Sequence, residues 1–154
     1  MNEAVQWIGP MPLEVVLRRS ADPSFGLPPA EPSVYLVTRG SWDQSPGDAS
    51  DPLYVGGITG RSCRFRDRFG QLVARLCGLF TTGNHSGGES LHRFCREHGI
   101  DPLTLQVAWV DRPACHRCLE GQLYEELHPR LNKKRPPACP THGGGDRPAR
   151  RPTV

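Results

Sequence analysis

Residues 52–57 read Pro-Leu-Tyr-Val-Gly-Gly. A short apolar run of this kind predicts a strand. It carries a phenol in its middle, however, and ends on two glycines, which weaken a strand and mark a place where something else comes close. Upstream, "SVYLVTR" (33–39) is β-branched and aromatic and predicts a second strand, joined to the first by the turn-forming connector "GSWDQSPGDAS" (40–50). The simplest arrangement is an antiparallel hairpin. Side chains alternate between faces, so Tyr35 shares a face with Val37, and Tyr54 shares a face with Gly56. The two phenols can then lie side by side, with open space at Gly56 and Gly57 for a backbone or a ligand.

Working outward, Phe65, Phe69, Leu72, Val73, Leu76 and Leu79 recur at helical spacing and predict a helix over 63–80. "TTGNHSGG" breaks it, and Glu89 to His98 reads as a second helix ended by Gly99. "LTLQVAWV" (103–110) predicts a third strand. Asp111 is placed to cap a last helix with Pro113 in its first turn. That helix runs to about His128 on a stripe of Leu119, Leu123 and Leu127. The expected fold is a small α+β domain, β-β-α-α-β-α, with a three-stranded antiparallel sheet over residues 33–132. Residues 1–32 form an N-terminal arm with one short helix near Pro12 to Arg19, and residues 133–154 a basic, Pro/Gly-rich, disordered tail.

The 154 residues allow one domain with a real core. Of the 17 glycines and 16 prolines, it is the prolines that concentrate towards the two ends. The net charge of +3 is uneven: from Lys133 to Val154 there are six Lys or Arg against one Asp. A basic tail on a near-neutral body suits an anionic polymer, or is simply a solvated end. No apolar run is long enough to span a membrane, and the first residues lack the pattern of a signal peptide. The six cysteines are therefore expected as reduced thiols, in a cytoplasmic protein.

Arg61, Arg64, Arg66 and Arg68 crowd the start of the first long helix, with Arg64 and Arg68 on one face. Arginines beside a glycine-cleared opening suit phosphate recognition, although a basic helix face is more often only solvated. Glu120 lies in register with Leu123 and Leu127, where a carboxylate is costly unless paired or metal-bound. Asn132, in "HPRLN", follows a proline break and can return to the same end of the sheet.

Taken together, Tyr35 in "SVYLV", Tyr54 in "LYVGG", Arg64 eight residues after Gly56, Glu120 in "LEGQLYEEL" and Asn132 in "HPRLN" resemble the GIY-YIG nuclease family over residues 33–132. Ser33-Val34-Tyr35 stands where the family has Gly-Ile-Tyr, and Arg68 where many members have histidine. The resemblance implies a DNA endonuclease, a phosphodiester hydrolase using one Mg2+ or Mn2+. Glu120 would anchor the metal and Arg64 would hold the phosphate. Tyr35 would activate water, Tyr54 would orient it, and Asn132 would position the Glu120 region or the DNA. Arg68 and His85 are auxiliary candidates. Arg61, Arg66, Lys133, Lys134 and Arg135 would add attraction to DNA. The substrate could be of restriction type or of repair and recombination type, cut by a homodimer or by a subunit of a larger nuclease complex.

Two other readings stand beside it. One is a GIY-YIG-like domain that binds nucleic acid without cutting. The other is a zinc-stabilised binding module: Cys115-x-x-Cys118 and Cys139-x-x-His142 have zinc-ligand spacing. Against zinc, both cysteines of the first pair are expected within a helix, and the tail would have to fold back to meet them.

Overall fold

The computed structural model describes residues 5–20, 31–49, 51–57, 65–79 and 85–142. The chain is α+β, as expected, but its sheet has four strands rather than three. They are β1 (Trp7–Pro12), β2 (Val34–Thr38), β3 (Pro52–Gly57) and β4 (Gln106–Val110), in the spatial order β1-β4-β2-β3. Every neighbouring pair is antiparallel. The extra strand comes from the segment expected as an arm. "WIGPMP" does not read as a strand because it contains a glycine and two prolines, which are tolerated only at an edge or a bulge. It occupies both: β1 is an edge strand, and its register shifts between Ile8 and Met11. Gly9 sits there at φ +93°, where a Cβ would lie 2.6 Å from the Val107 carbonyl oxygen.

Four helices are found among the described residues: α1 (Leu13–Arg19), α2 (Phe65–Leu76), α3 (Ser86–His98) and α4 (His116–Leu127). α1 matches the short helix expected near Pro12 to Arg19. α3 starts three residues before the expected Glu89, because His85 caps it, and it ends at Gly99 in the left-handed conformation. α4 starts later than expected. Arg112 has φ 49°, which no helix continues through, so Asp111 cannot be the cap. Cys115 takes that place, its sulfur accepting from the Cys118 N–H at 3.4 Å.

Each face of the sheet buries its own cluster. Tyr35, Val37, Val107 and Trp109 pack with Phe69, Leu72, Leu91 and Phe94 under α2 and α3. Val34, Leu36, Val55, Ala108 and Val110 pack on the other face against Leu119 and Leu123 of α4. The alternation that puts Tyr35 beneath α2 and α3 therefore puts its neighbours beneath α4. No helix of the described residues is long and apolar enough to cross a membrane.

Beyond α4 the chain doubles back. Arg130 N–H and Leu131 N–H donate to the carbonyls of Pro52 and Leu53, at 3.0 and 2.8 Å, along the outer edge of β3. Residues 133–142, expected in a loose tail, return over α4. Arg135 pairs with Glu125 at 2.6 Å, and Cys139 is buried close to Cys115.

Candidate functional site

The hairpin register sets Tyr35 opposite Gly56 and Val37 opposite Tyr54. The two phenols are thus diagonal neighbours on one face, and they stack with ring centroids 6.0 Å apart. Gly56 makes this possible: a Cβ there would overlap the Tyr35 hydroxyl and lie 2.8 Å from Tyr54 Cε1. Gly87, at the start of α3, does the same for Tyr54, since a Cβ there would run into its ring. The space expected as an opening for a ligand is therefore filled at Gly56 by the protein's own phenol.

Gly57 faces the other way, towards α4. A Cβ on it would lie 2.9 Å from the Ser33 carbonyl oxygen and 3.2 Å from Glu120 Oε2. Glu120 is 7% exposed, and no hydrogen bond or salt bridge reaches its carboxylate among the described residues. Burial pushes its pKa up to about 7, against the opposing pull of Arg117. The carboxylate and the phenols lie on opposite faces of the sheet, on either side of the glycine end of β3. They are close enough for Glu120 to push both phenols upward.

His85 is 1% exposed and has both ring nitrogens engaged. Nδ1 accepts from the Gly88 N–H at 3.0 Å as the cap of α3, and Nε2 lies 2.9 Å from the Tyr35 hydroxyl. Burial and the charge of Arg68 hold its pKa down at about 3, so the ring is neutral. A neutral ring that accepts at Nδ1 carries its proton on Nε2. His85 therefore donates to the Tyr35 oxygen. Tyr35, 1% exposed, has its pKa raised well above the ordinary value by burial. Tyr54, only partly buried, is raised less severely. An interaction between the hydroxyls holds the proton on Tyr35 and eases its loss from Tyr54, and Arg68 favours both phenolates.

Asn132 does return to this end of the sheet, but its amide is engaged by backbone. Oδ1 accepts from the Val55 N–H at 2.9 Å, and Nδ2 donates to the Val55 carbonyl at 2.8 Å. These bonds fix β3 between Tyr54 and Gly56. Arg61 and Arg64 lie outside the described residues, and Arg66 lies on α2 with its side chain outside them. Arg68 donates to Gln71 at 3.0 Å. Lys133 and Lys134 are exposed, whereas Arg135 is drawn into its pair with Glu125. Sequence reasoning does not single out Gly87 or Gly88. Their one signal is their place beside His85 in "NHSGG".

A second cluster lies at the start of α4. Cys115, Cys118, Cys139 and His142 offer ligand atoms all within 4.8 Å of one another and could hold a metal ion. Hydrogen bonds from backbone N–H groups, that of His142 foremost, pull the Cys139 thiol down to about 6.

Comparison of the chain with family models, with curated proteins and with solved structures gave no match.

Proposed function

We propose that the protein is a metal-dependent DNA endonuclease of the GIY-YIG type. One observation carries this reading: a buried carboxylate, with no ion-pair partner among the described residues, and a stacked pair of tyrosines lie on either side of the same two glycines. A carboxylate in that position is costly unless a cation completes it. The donor set suits magnesium, which needs few protein carboxylates and keeps several of its waters. Glu120 would hold the ion, which when bound supplies positive charge to the scissile phosphate and the leaving oxygen.

The other roles follow from exposure and protonation. Tyr54 is the phenol that meets solvent, so, once its own proton has passed to solvent, its phenolate is the better candidate to take the proton of the attacking water. Tyr35 lies behind it, with His85 Nε2–H on its oxygen. Tyr35 keeps its own proton, and the His85–Tyr35–Tyr54 chain of hydroxyl contacts favours the phenolate of Tyr54 before it takes up the proton. Arg68 supports the same charge. Arg64 is assigned to the phosphate by the resemblance alone. Asn132 acts through the strand it pins.

The test is cleavage of plasmid, nicked, branched and single-stranded DNA in Mg2+ by the wild type and by Glu120→Ala. The expected result is cutting of at least one substrate, lost in the variant. If the folded wild type binds these DNAs and cuts none in Mg2+ or Mn2+, the protein is a binding module instead.

A further inference from the structure

The Cys/His cluster shares none of its residues with the site just described. Three sulfurs and an imidazole converge there from two separate segments. Cys115 and Cys139 have their Sγ atoms 3.5 Å apart, and Cys139 Sγ lies 3.6 Å from His142 Nδ1. Bonds of about 2.3 Å to sulfur and about 2.0 Å to nitrogen place the corners of a tetrahedral zinc site about 3.5 to 3.8 Å apart. The two half-sites also have the same local design. In each, the N–H of the third residue onward donates to the first cysteine: Cys118 to Cys115, and His142 to Cys139, both at 3.4 Å. Such donors stabilise thiolate rather than thiol, which is the form that binds metal.

The late start of α4 makes the geometry work. With Cys115 at the cap rather than inside the helix, its sulfur turns back towards the helix start and meets Cys139. The expected obstacle, a tail that must return, is removed by the path of residues 133–142. That path has little else to hold it. It contains no helix or strand, and the ion pair of Arg135 with Glu125 is largely exposed and so contributes little. Cys139 is nevertheless only 8% exposed. Three thiols and one imidazole are a soft donor set that selects zinc over magnesium or calcium.

We propose that Cys115, Cys118, Cys139 and His142 bind one structural zinc ion that fastens the returning C-terminal segment to the first turn of α4. All four positions are filled by protein, so the site is closed and has no place for substrate. Its role is mechanical. Glu120 is two residues past Cys118, so fixing the first turn of α4 also fixes the direction of the carboxylate; that last clause rests on the nuclease reading, and the zinc site does not.

Metal content tests the site without any DNA. Protein purified without chelator should carry about one zinc per chain and no free thiol at these three cysteines. Cobalt should replace the zinc and give the visible absorption of a tetrahedral thiolate site. Removing the metal should lower the melting temperature by on the order of 10 °C. Cys139→Ser should reduce zinc from about one per chain to near zero. Should that variant not fold, His142→Ala, an exposed substitution, should lose zinc to a chelator that the wild type withstands, and His142→Cys should restore retention. The proposal is overturned by wild-type protein that neither holds zinc nor takes up cobalt, by a Cys115–Cys139 disulfide in its place, or by full zinc content in Cys139→Ser.

Discussion

Glu120 and Cys118 are two residues apart on α4, yet the clusters they belong to are assembled in opposite ways. Around Glu120, the groups are held by the packed core. Tyr35 is locked between His85, Tyr54 and Phe69, and Asn132 clamps β3 from outside. The shape of this site exists before any ion arrives, and burial has already displaced the protonation of its groups. Around Cys118, two short turns meet near the surface, and little besides the ligands joins them. Here the ion would make the shape. A core-built site should lose activity while keeping its fold when one ligand is removed. A ligand-built site should lose structure locally.

The strongest way to break this contrast is Glu120→Ala. Cleavage should fall at least about a thousandfold, equivalent to about 4 kcal/mol of barrier. The melting temperature should hold or rise, because a buried carboxylate with no ion-pair partner among the described residues is removed. A large loss of stability would mean that Glu120 supports the core and that the two clusters do not differ as described. Gly56→Ala should come next. Its Cβ needs the space of the Tyr35 hydroxyl, so unfolding free energy should drop by about 1–3 kcal/mol and activity should fall with it. Wild-type stability and cutting in that variant would show that the phenol pair tolerates displacement.

Protonation of His85 sharpens the comparison further. Its folded pKa, about 3, lies below the ordinary 6.5, so the unfolded chain binds the extra proton first. Stability should therefore be fully retained above about pH 7 and fall as the pH drops from 6.5 towards 3, with a loss of about 2 kcal/mol by pH 5. Denaturant titrations across that range should show the slope, and His85→Asn should flatten it. An unchanged slope would place the acid sensitivity elsewhere. The smallest effect is expected from Lys133→Ala with Lys134→Ala. DNA affinity should weaken modestly, and the dependence of binding on log salt should become shallower by about 0.9 for each phosphate left without its lysine. Cleavage at saturating DNA should stay near wild type.

Much of the tyrosine and glutamate site is readable in the sequence because its parts are residue types with few alternative uses in that order: two strand tyrosines, a glycine pair, and a glutamate in a leucine stripe. Alternation alone puts Tyr35 and Tyr54 on one face. What alternation does not say is that Gly56 and Gly57 point to opposite faces with different occupants, Tyr35 on one side and Glu120 on the other. The His85 tautomer is hidden as well, since it depends on the Gly88 N–H at the start of a helix whose first residue the sequence pattern places three positions late. β1 escapes because the prolines and glycine that argue against a strand are those an edge bulge accepts. The sulfur cluster is visible as spacing, but a helix beginning at Asp111 would set both cysteines inside its turns. A single left-handed residue, Arg112, moves that start and turns an obstacle into a cap.

The covering of the sheet's two margins has a consequence for how this chain meets other copies of itself. A bare outer strand is a template on which foreign strands pair and aggregates grow. On β3 that template is taken: Arg130 and Leu131 occupy the carbonyls of Pro52 and Leu53, and the Asn132 amide satisfies both backbone groups of Val55, as a neighbouring strand would. On the opposite margin, β1 carries Pro10 and Pro12, which have no N–H to lend, and a bulge between Ile8 and Met11. Strand addition is thus discouraged at both ends of the four-stranded sheet.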